Sequence, residues 1–243
     1  MLRRHRLDAR PTPVAASAPT GLLPLELSGQ RDSYLYVAAG YEPGRPSPLV
    51  LFLHGSGGHA HHGLDLLQPL ADELGAVLVA PASSDYSWDL MVSRYAADVA
   101  IVNRALEQVF ASYAVDAAHV AIAGFSDGAS YALSLGLANT ELFTHVIAFS
   151  PGFVLLPEAG GSPRIFLSHG ARDEIRPISS CSHRILTQLE RRGLTAEYVE
   201  FEGGHRIPAE VARAALEWFT ESAGSEHAPG RSRDRESRPP RGD

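Results

Sequence analysis

Three residues in the second half of the chain have the types and the order needed for nucleophilic chemistry. Ser126 stands in Gly124-Phe125-Ser126-Asp127-Gly128, the one G-x-S-x-G of the sequence. Asp173 follows in "RIFLSHGARDEIRP" and His205 in "AEYVEFEGGHRIP". A serine hydroxyl is a poor nucleophile near neutral pH unless a base takes its proton and a third group orients that base. Serine, acid, then histidine is the chain order of such a set when each group sits at a strand end of one sheet. Ser126 would then attack an acyl carbon, with His205 as base and Asp173 holding the imidazole. Glu174 is the alternative acid. Of the histidines after the acid, His183 falls in a predicted helix and His227 in a polar tail, which leaves His205, raised on Gly203-Gly204.

Attack on an acyl carbon puts negative charge on its oxygen, and preorganised donors must meet that charge. The backbone N–H groups of Ser56 and Asp127 are the candidates. Ser56 lies in "LVLFLHGSGGHAHHG", a strand running into a glycine-rich turn, and Asp127 opens a helix whose positive end faces the site. Trp88, with Tyr86, in "SSDYSWDLM" and Phe153 in "GFVLLPEAGGSP" are candidate lining of a substrate pocket. The two aromatics of the first stretch suit packing equally well. Phe125 and Tyr131 read as core.

Two rival chemistries share these residues. Gly55-Ser56-Gly57-Gly58-His59-Ala60 matches the G-x-G-x-x-A of a dinucleotide-binding turn, but the next strand, "AVLVAPASS", ends in small and polar residues where that fold needs an acid. His59, His61 and His62 share one loop, yet Asp65 is the only acid near them, so they read as surface or pocket lining. No metal and no cofactor is expected. A non-catalytic binding module on the same fold is the remaining alternative, and the complete Ser–Asp–His set speaks against it.

The elements that must position these groups follow from periodicity. "PLVLFLH" (48–54), "AVLVAPAS" (76–83), "HVAIAGF" (119–125), "HVIAFSP" (145–151), "RIFLSHG" (164–170) and "AEYVEFEGG" (196–204) read as short strands, mostly too apolar for a surface sheet. "SYLYVAAG" (33–40) alternates and reads as an edge strand. Helices are predicted over 92–113, where Val92, Tyr95, Val99, Val102, Leu106, Val109 and Tyr113 share one face, and over 179–193 and 208–219. Strand and helix alternate, which predicts a mostly parallel sheet covered on both faces. Residues 152–163, between two strands, are too few to fold a cap. The expected organisation is a disordered extension over 1–24, one α/β domain over 25–224 and a disordered polar tail over 225–243.

Composition bounds the partners. The 243 residues carry a formal charge of −7 and a pI near 5.9, which argues against nucleic acid or an anionic membrane. All 21 basic residues are Arg, so lysine-dependent phosphate loops and Schiff bases are excluded. The single Cys181 forbids an intramolecular disulfide and suits a reducing, cytoplasmic setting. No apolar run reaches the roughly 18 residues of a membrane span. Prolines at 11, 13, 19 and 24 break up any apolar leader, which also leaves little weight on Arg3-Arg4 as an export signal. The closing Arg241-Gly242-Asp243 is a chance match to an adhesion tripeptide.

Over roughly residues 30–220 the chain resembles the serine α/β-hydrolases. Within them it is most similar to the bacterial carboxylesterase and phospholipase-like group related to acyl-protein thioesterases. The resemblance rests on "LFLHGSGG", "GFSDGAS", "FLSHGARDEIRP" and "EGGH", in that order. It implies the α/β-hydrolase fold without a cap domain, and hydrolysis of short- to medium-chain carboxylic esters through an acyl-enzyme. A small-molecule ester is the implied partner, and (lyso)phospholipase or thioesterase activity is the implied alternative. One departure stands out. The thioesterases often have Gln after the nucleophile, where this chain has Asp127, whose carboxylate is expected to point away from the developing oxyanion. The dienelactone hydrolase relatives use Cys as nucleophile, so Ser126 speaks against that branch.

Overall fold

The computed structural model describes residues 5–14, 18–27, 31–89, 97–158 and 160–221. Its frame is an eight-stranded sheet in the order β1-β2-β4-β3-β5-β6-β7-β8. These strands are β1 (Gly21–Leu25), β2 (Ser33–Val37), β3 (Ser47–Leu53), β4 (Val77–Ala80), β5 (Val115–Phe125), β6 (His145–Phe149), β7 (Arg164–Gly170) and β8 (Glu197–Phe201). From β4 to β8 every neighbouring pair is parallel, while β2 runs antiparallel to both β1 and β4. A parallel sheet needs crossovers, and the helices α1 (His61–Leu74), α2 (Ala97–Ser112), α3 (Asp127–Ala138), α4 (Ser182–Glu190) and α5 (Ala209–Thr220) follow β3, β4, β5, β7 and β8 in turn.

Strand alternation divides the core. Leu49, Leu51 and Leu53 of β3 face the side covered by α2, α3 and α4, where Val102, Leu106, Leu133 and Ile185 pack. Val50 and Phe52 face the other side, against Leu64 and Leu67 of α1 and Val211, Ala215 and Phe219 of α5. Central strands are therefore buried on both faces, which is why they read as continuous apolar runs. The chain passes from β6 to β7 through 150–163 with no helix or strand among the described residues. No helix among the described residues is long and apolar enough to cross a membrane.

Two expectations are corrected. "SYLYV" is not an edge strand, because β1 pairs outside it, with Leu23 opposite Leu35. Nor are the residues before 25 a loose extension throughout. Leu7 is 1% exposed and joins the core. The Leu7 amide donates to Asn139 Oδ1 at 2.8 Å, Asn139 Nδ2 returns a bond to the His5 carbonyl at 2.7 Å, and Arg6 and Arg10 reach Glu141. Prolines at 11, 13 and 19 disfavour regular structure before β1, yet they do not prevent an irregular strap from docking through its backbone. Residues 92–96 of the expected helix lie outside the described residues, as does the tail over 225–243 with His227.

Candidate active site

Ser126 sits where β5 ends and α3 begins, at φ 56° and ψ −116°. A non-glycine residue at positive φ is strained, and here the strain lifts the hydroxyl above the sheet end. The flanking glycines permit the turn. A Cβ on Gly124 would strike the Gly128 backbone, and a Cβ on Gly128 would strike the carbonyls of Leu53 and His54. Backbone bonds fix the turn from both sides: the Ser126 amide donates to the Phe149 carbonyl at 2.9 Å, and the Ser126 carbonyl accepts from the Ser130 amide at 3.1 Å.

The serine, the histidine and the acid form one hydrogen-bonded row. His205 Nε2 lies 2.8 Å from Ser126 Oγ, and His205 Nδ1 lies 2.6 Å from Asp173 Oδ2. A carboxylate only accepts, so Nδ1 carries the proton and Nε2 is the acceptor for the serine hydroxyl. The Asp173 side chain is fully buried. Its Oδ1 accepts from the amides of Ile175 at 2.9 Å and Arg176 at 2.8 Å. Burial pushes the Asp173 carboxyl up, but the Arg176 amide and the His205 ring outweigh it and hold the group below its usual value. His169, behind the acid, places Nε2 3.3 Å from Asp173 Oδ2 and 2.7 Å from the Arg176 carbonyl. Phe125 is half-buried, packs against the core on the α1 and α5 side of the sheet, and lays its ring 4.7 Å from that of His205, as a floor for the imidazole. Glu174 is exposed, and His183 pairs loosely with Glu200 at 3.4 Å, so the structure brings neither into the row.

The Ser56 turn runs past Ser126. A Cβ on Gly55 would stand 3.4 Å from the Ser126 Cβ. Neither the Ser56 nor the Asp127 amide donates to another group among the described residues. Asp127 opens α3, whose first N–H groups have no intrahelical acceptor. Its carboxylate accepts from Ser56 Oγ, from Ser87 Oγ at 2.9 Å and from the Arg176 guanidinium. Both oxygens of the negative side chain are thus engaged, which a glance at "GFSDG" does not reveal.

The pocket candidates divide. Trp88 is 0% exposed, and its Nε1 donates to the His54 carbonyl at 2.8 Å. It is a core post between His54 and Tyr131, not pocket lining, because a buried carbonyl at the end of β3 satisfies the indole N–H. Phe153 is half-buried on the loop after β6, and Tyr131 is core. Tyr86 is 70% exposed over Gly57 of the turn after β3, and Ile175 is 69% exposed two residues after Asp173. Ile175, Arg176 and Ser87 were not singled out from sequence. The one available signal for Arg176 was an unmatched pair of opposite charges, an Asp beside Ser126 and an Arg in the loop that carries Asp173. The three clustered histidines do not share one loop, since His61 and His62 stand in the first turn of α1 and only His59 precedes it; the His59 and His62 rings lie 3.9 Å apart and His61 packs on Tyr34. Among the described residues no group of three or more His, Cys, Asp or Glu is arranged to hold a metal ion.

Residues 89–221 match the family model described as phospholipase/carboxylesterase. Feruloyl esterase C of Emericella nidulans is 29% identical over 156 residues, 61% of this chain and 57% of that protein. The chain thus spans 57% of the length of this curated relative. Among solved structures, a ferulic acid esterase of Anaeromyces mucronatus in complex with ferulic acid superposes with a TM-score of 0.63 at 16% identity, covering 87% of this chain and 97% of that one. The Bacillus cereus carboxylesterase superposes with a TM-score of 0.62 at 18% identity, covering 79% and 94%. At such identities these structures speak to fold alone.

Proposed function

The chain belongs to the phospholipase/carboxylesterase family and has the α/β-hydrolase fold, and on that premise we propose that it is a serine esterase of small carboxylic esters. The observation that carries the reading is the row Ser126–His205–Asp173, with 2.8 and 2.6 Å between partners.

In this reading Ser126 Oγ attacks the ester carbonyl carbon while its proton passes to His205 Nε2. The imidazolium is stabilised through Nδ1–H on the Asp173 carboxylate, which stays ionised. The carbonyl oxygen becomes an oxyanion that accepts from the Ser56 and Asp127 amides, groups that need no side-chain ordering. As the tetrahedral species collapses, the ester C–O bond breaks and His205 returns the proton to the departing alcohol. Water then gives its proton to His205 and attacks the acyl carbon on Ser126, releasing the acid and restoring the serine. Neither a metal nor a cofactor takes part.

A second reading, preference for an aromatic acyl group, draws on the exposed Tyr86 and Ile175 and on the feruloyl esterase relative. A panel of p-nitrophenyl, thioester, anilide and methyl hydroxycinnamate substrates, run with and without EDTA, tests both readings. Ester turnover insensitive to EDTA is expected. Turnover of none of them would remove the esterase reading, and the ranking within the panel decides on the aromatic preference.

A further inference from the structure

Asp127 follows the nucleophile, and its carboxylate is held by three separate loops. Oδ2 accepts from Ser56 Oγ, of the turn after β3, and from Ser87 Oγ, of the loop after β4. Oδ1 accepts from Arg176 Nη2, of the acid loop after β7. The Asp127 side chain is 6% exposed and that of Arg176 28%, so the pair is largely withdrawn from water. The Ser87 loop is itself pinned to α2, since Asp98 accepts from the amides of Ser84 at 2.7 Å and Asp89 at 2.6 Å.

Arg176 is fixed at both ends. Its amide donates to Asp173 Oδ1 at 2.8 Å and its carbonyl lies 2.7 Å from His169 Nε2, so the backbone belongs to the acid's own framework. Its guanidinium crosses to Asp127 over Gly152, where a Cβ would come within 2.9 Å of Nη1.

From this arrangement we propose that Arg176 is a positioning residue for the oxyanion hole. It anchors the Asp127 carboxylate, which ties Ser56 to Asp127, and it cancels the negative charge one residue from the nucleophile. The proposal rests on the reading of Ser126 as nucleophile and of the Ser56 and Asp127 amides as oxyanion donors. Two physical needs meet in one ion pair. The donors must hold their geometry before charge develops, since a donor that must move in the transition state loses its advantage. A carboxylate beside the oxyanion, with no cation on it, would repel the charge the donors attract. The guanidinium meets the carboxylate through Nη2 alone, a charge-assisted hydrogen bond aimed at Oδ1 that leaves Oδ2 to the two serines.

The test is a double-mutant cycle in kcat and KM on one p-nitrophenyl ester, using Arg176→Gln, Asp127→Asn and the double variant, with melting temperatures measured alongside. Removing one oxyanion donor outright costs about 10²- to 10³-fold in kcat, so misplacing donors through Arg176→Gln should cost about 10- to 100-fold. KM should move less than about threefold, because the loss falls on the transition state. The double variant should be at least about fivefold faster than Arg176→Gln alone, since the uncompensated charge is gone. Arg176→Lys, which keeps the charge but loses the reach and direction of the Nη2–Oδ1 bond, should fall between wild type and Arg176→Gln, and it carries the test if Arg176→Gln does not fold. A wild-type kcat in either Arg176 variant would overturn the proposal, as would a double variant no faster than Arg176→Gln. A purely structural ion pair would instead lower melting temperatures and leave kcat unchanged in the folded fraction. Loss of ester turnover in the wild type itself would remove the esterase reading together with this one, whereas an active wild type with unaffected variants removes this one alone.

Discussion

Ser126 Oγ and His205 Nε2 stand 2.8 Å apart although 79 residues separate them in the chain. The contact exists because β5 and β8 are parallel strands of one sheet, so both loops leave it at the same end. Asp173 completes the row from β7, between them. The strand order therefore makes the site, and each member can be tested separately.

Asp173→Asn should keep the fold and lose about three to four orders of magnitude in kcat, because an amide can leave the imidazole in the wrong tautomer. Glu174→Gln should stay within about twofold of wild type, since Glu174 is exposed and outside the row. Steady-state kinetics of the two variants decide the acid. The opposite ranking would move it by one residue.

Stability should fall as pH drops from 7 to 5. Burial drives the His54 ring down to about 4, with Nδ1–H on the Gly55 carbonyl and Nε2 accepting from the Ser83 amide. Burial likewise lowers His145 to about 4. A histidine whose folded value lies below its unfolded one, about 6.5, binds fewer protons folded than unfolded in that window, so the folded state loses ground as pH falls through it. His54 alone should account for about 2 kcal/mol between pH 7 and pH 5. Urea unfolding at both values measures this. Equal midpoints and slopes would contradict it.

Much of this was legible because buried parallel strands leave an unmistakable apolar signature, and because G-x-S-x-G, "RDEIRP" and "EGGH" each mark a strand end. The edge was not. β1 carries Pro24 and is only half-buried, so it has neither an apolar run nor clear strand propensity. The strap around Leu7 was hidden for a similar reason: it docks through main-chain bonds to Asn103 and Asn139, which no side-chain pattern announces. Trp88 shows the converse error, since an aromatic in a strand-end loop looks like pocket lining until its N–H is found on a buried carbonyl. Arg176 escaped notice because its role depends on a residue 49 positions away.

The strap should matter for stability. Leu7→Ala removes a side chain that is 1% exposed, and its loss should cost about 2–5 kcal/mol, close to the effect of deleting residues 1–14. Calorimetry of both variants checks it. An unchanged melting temperature would mean that the segment contributes no core packing.

Substrate length should be limited by the short passage between β6 and β7. With 150–163 running from β6 to β7 without a helix or strand among the described residues, little surface is available to grip a long acyl chain. The expected outcome is a higher kcat/KM for acetyl to octanoyl p-nitrophenyl esters than for the palmitoyl ester, with no jump at the micellar concentration. A marked rise at the lipid interface would shift the reading toward phospholipase action.

The central claim is that Ser126 is the nucleophile of an esterase, and the most direct measurement couples labelling to turnover. Wild type and Ser126→Ala are treated with a fluorophosphonate, mapped by peptide mass spectrometry and assayed on p-nitrophenyl butyrate. The account predicts a single phosphonylated residue, Ser126, with turnover lost in step with labelling. It also predicts an alanine variant that folds as wild type, takes no label and retains less than about a thousandth of the rate. Label on another residue, or an alanine variant that still turns over the ester at a comparable rate, would contradict it.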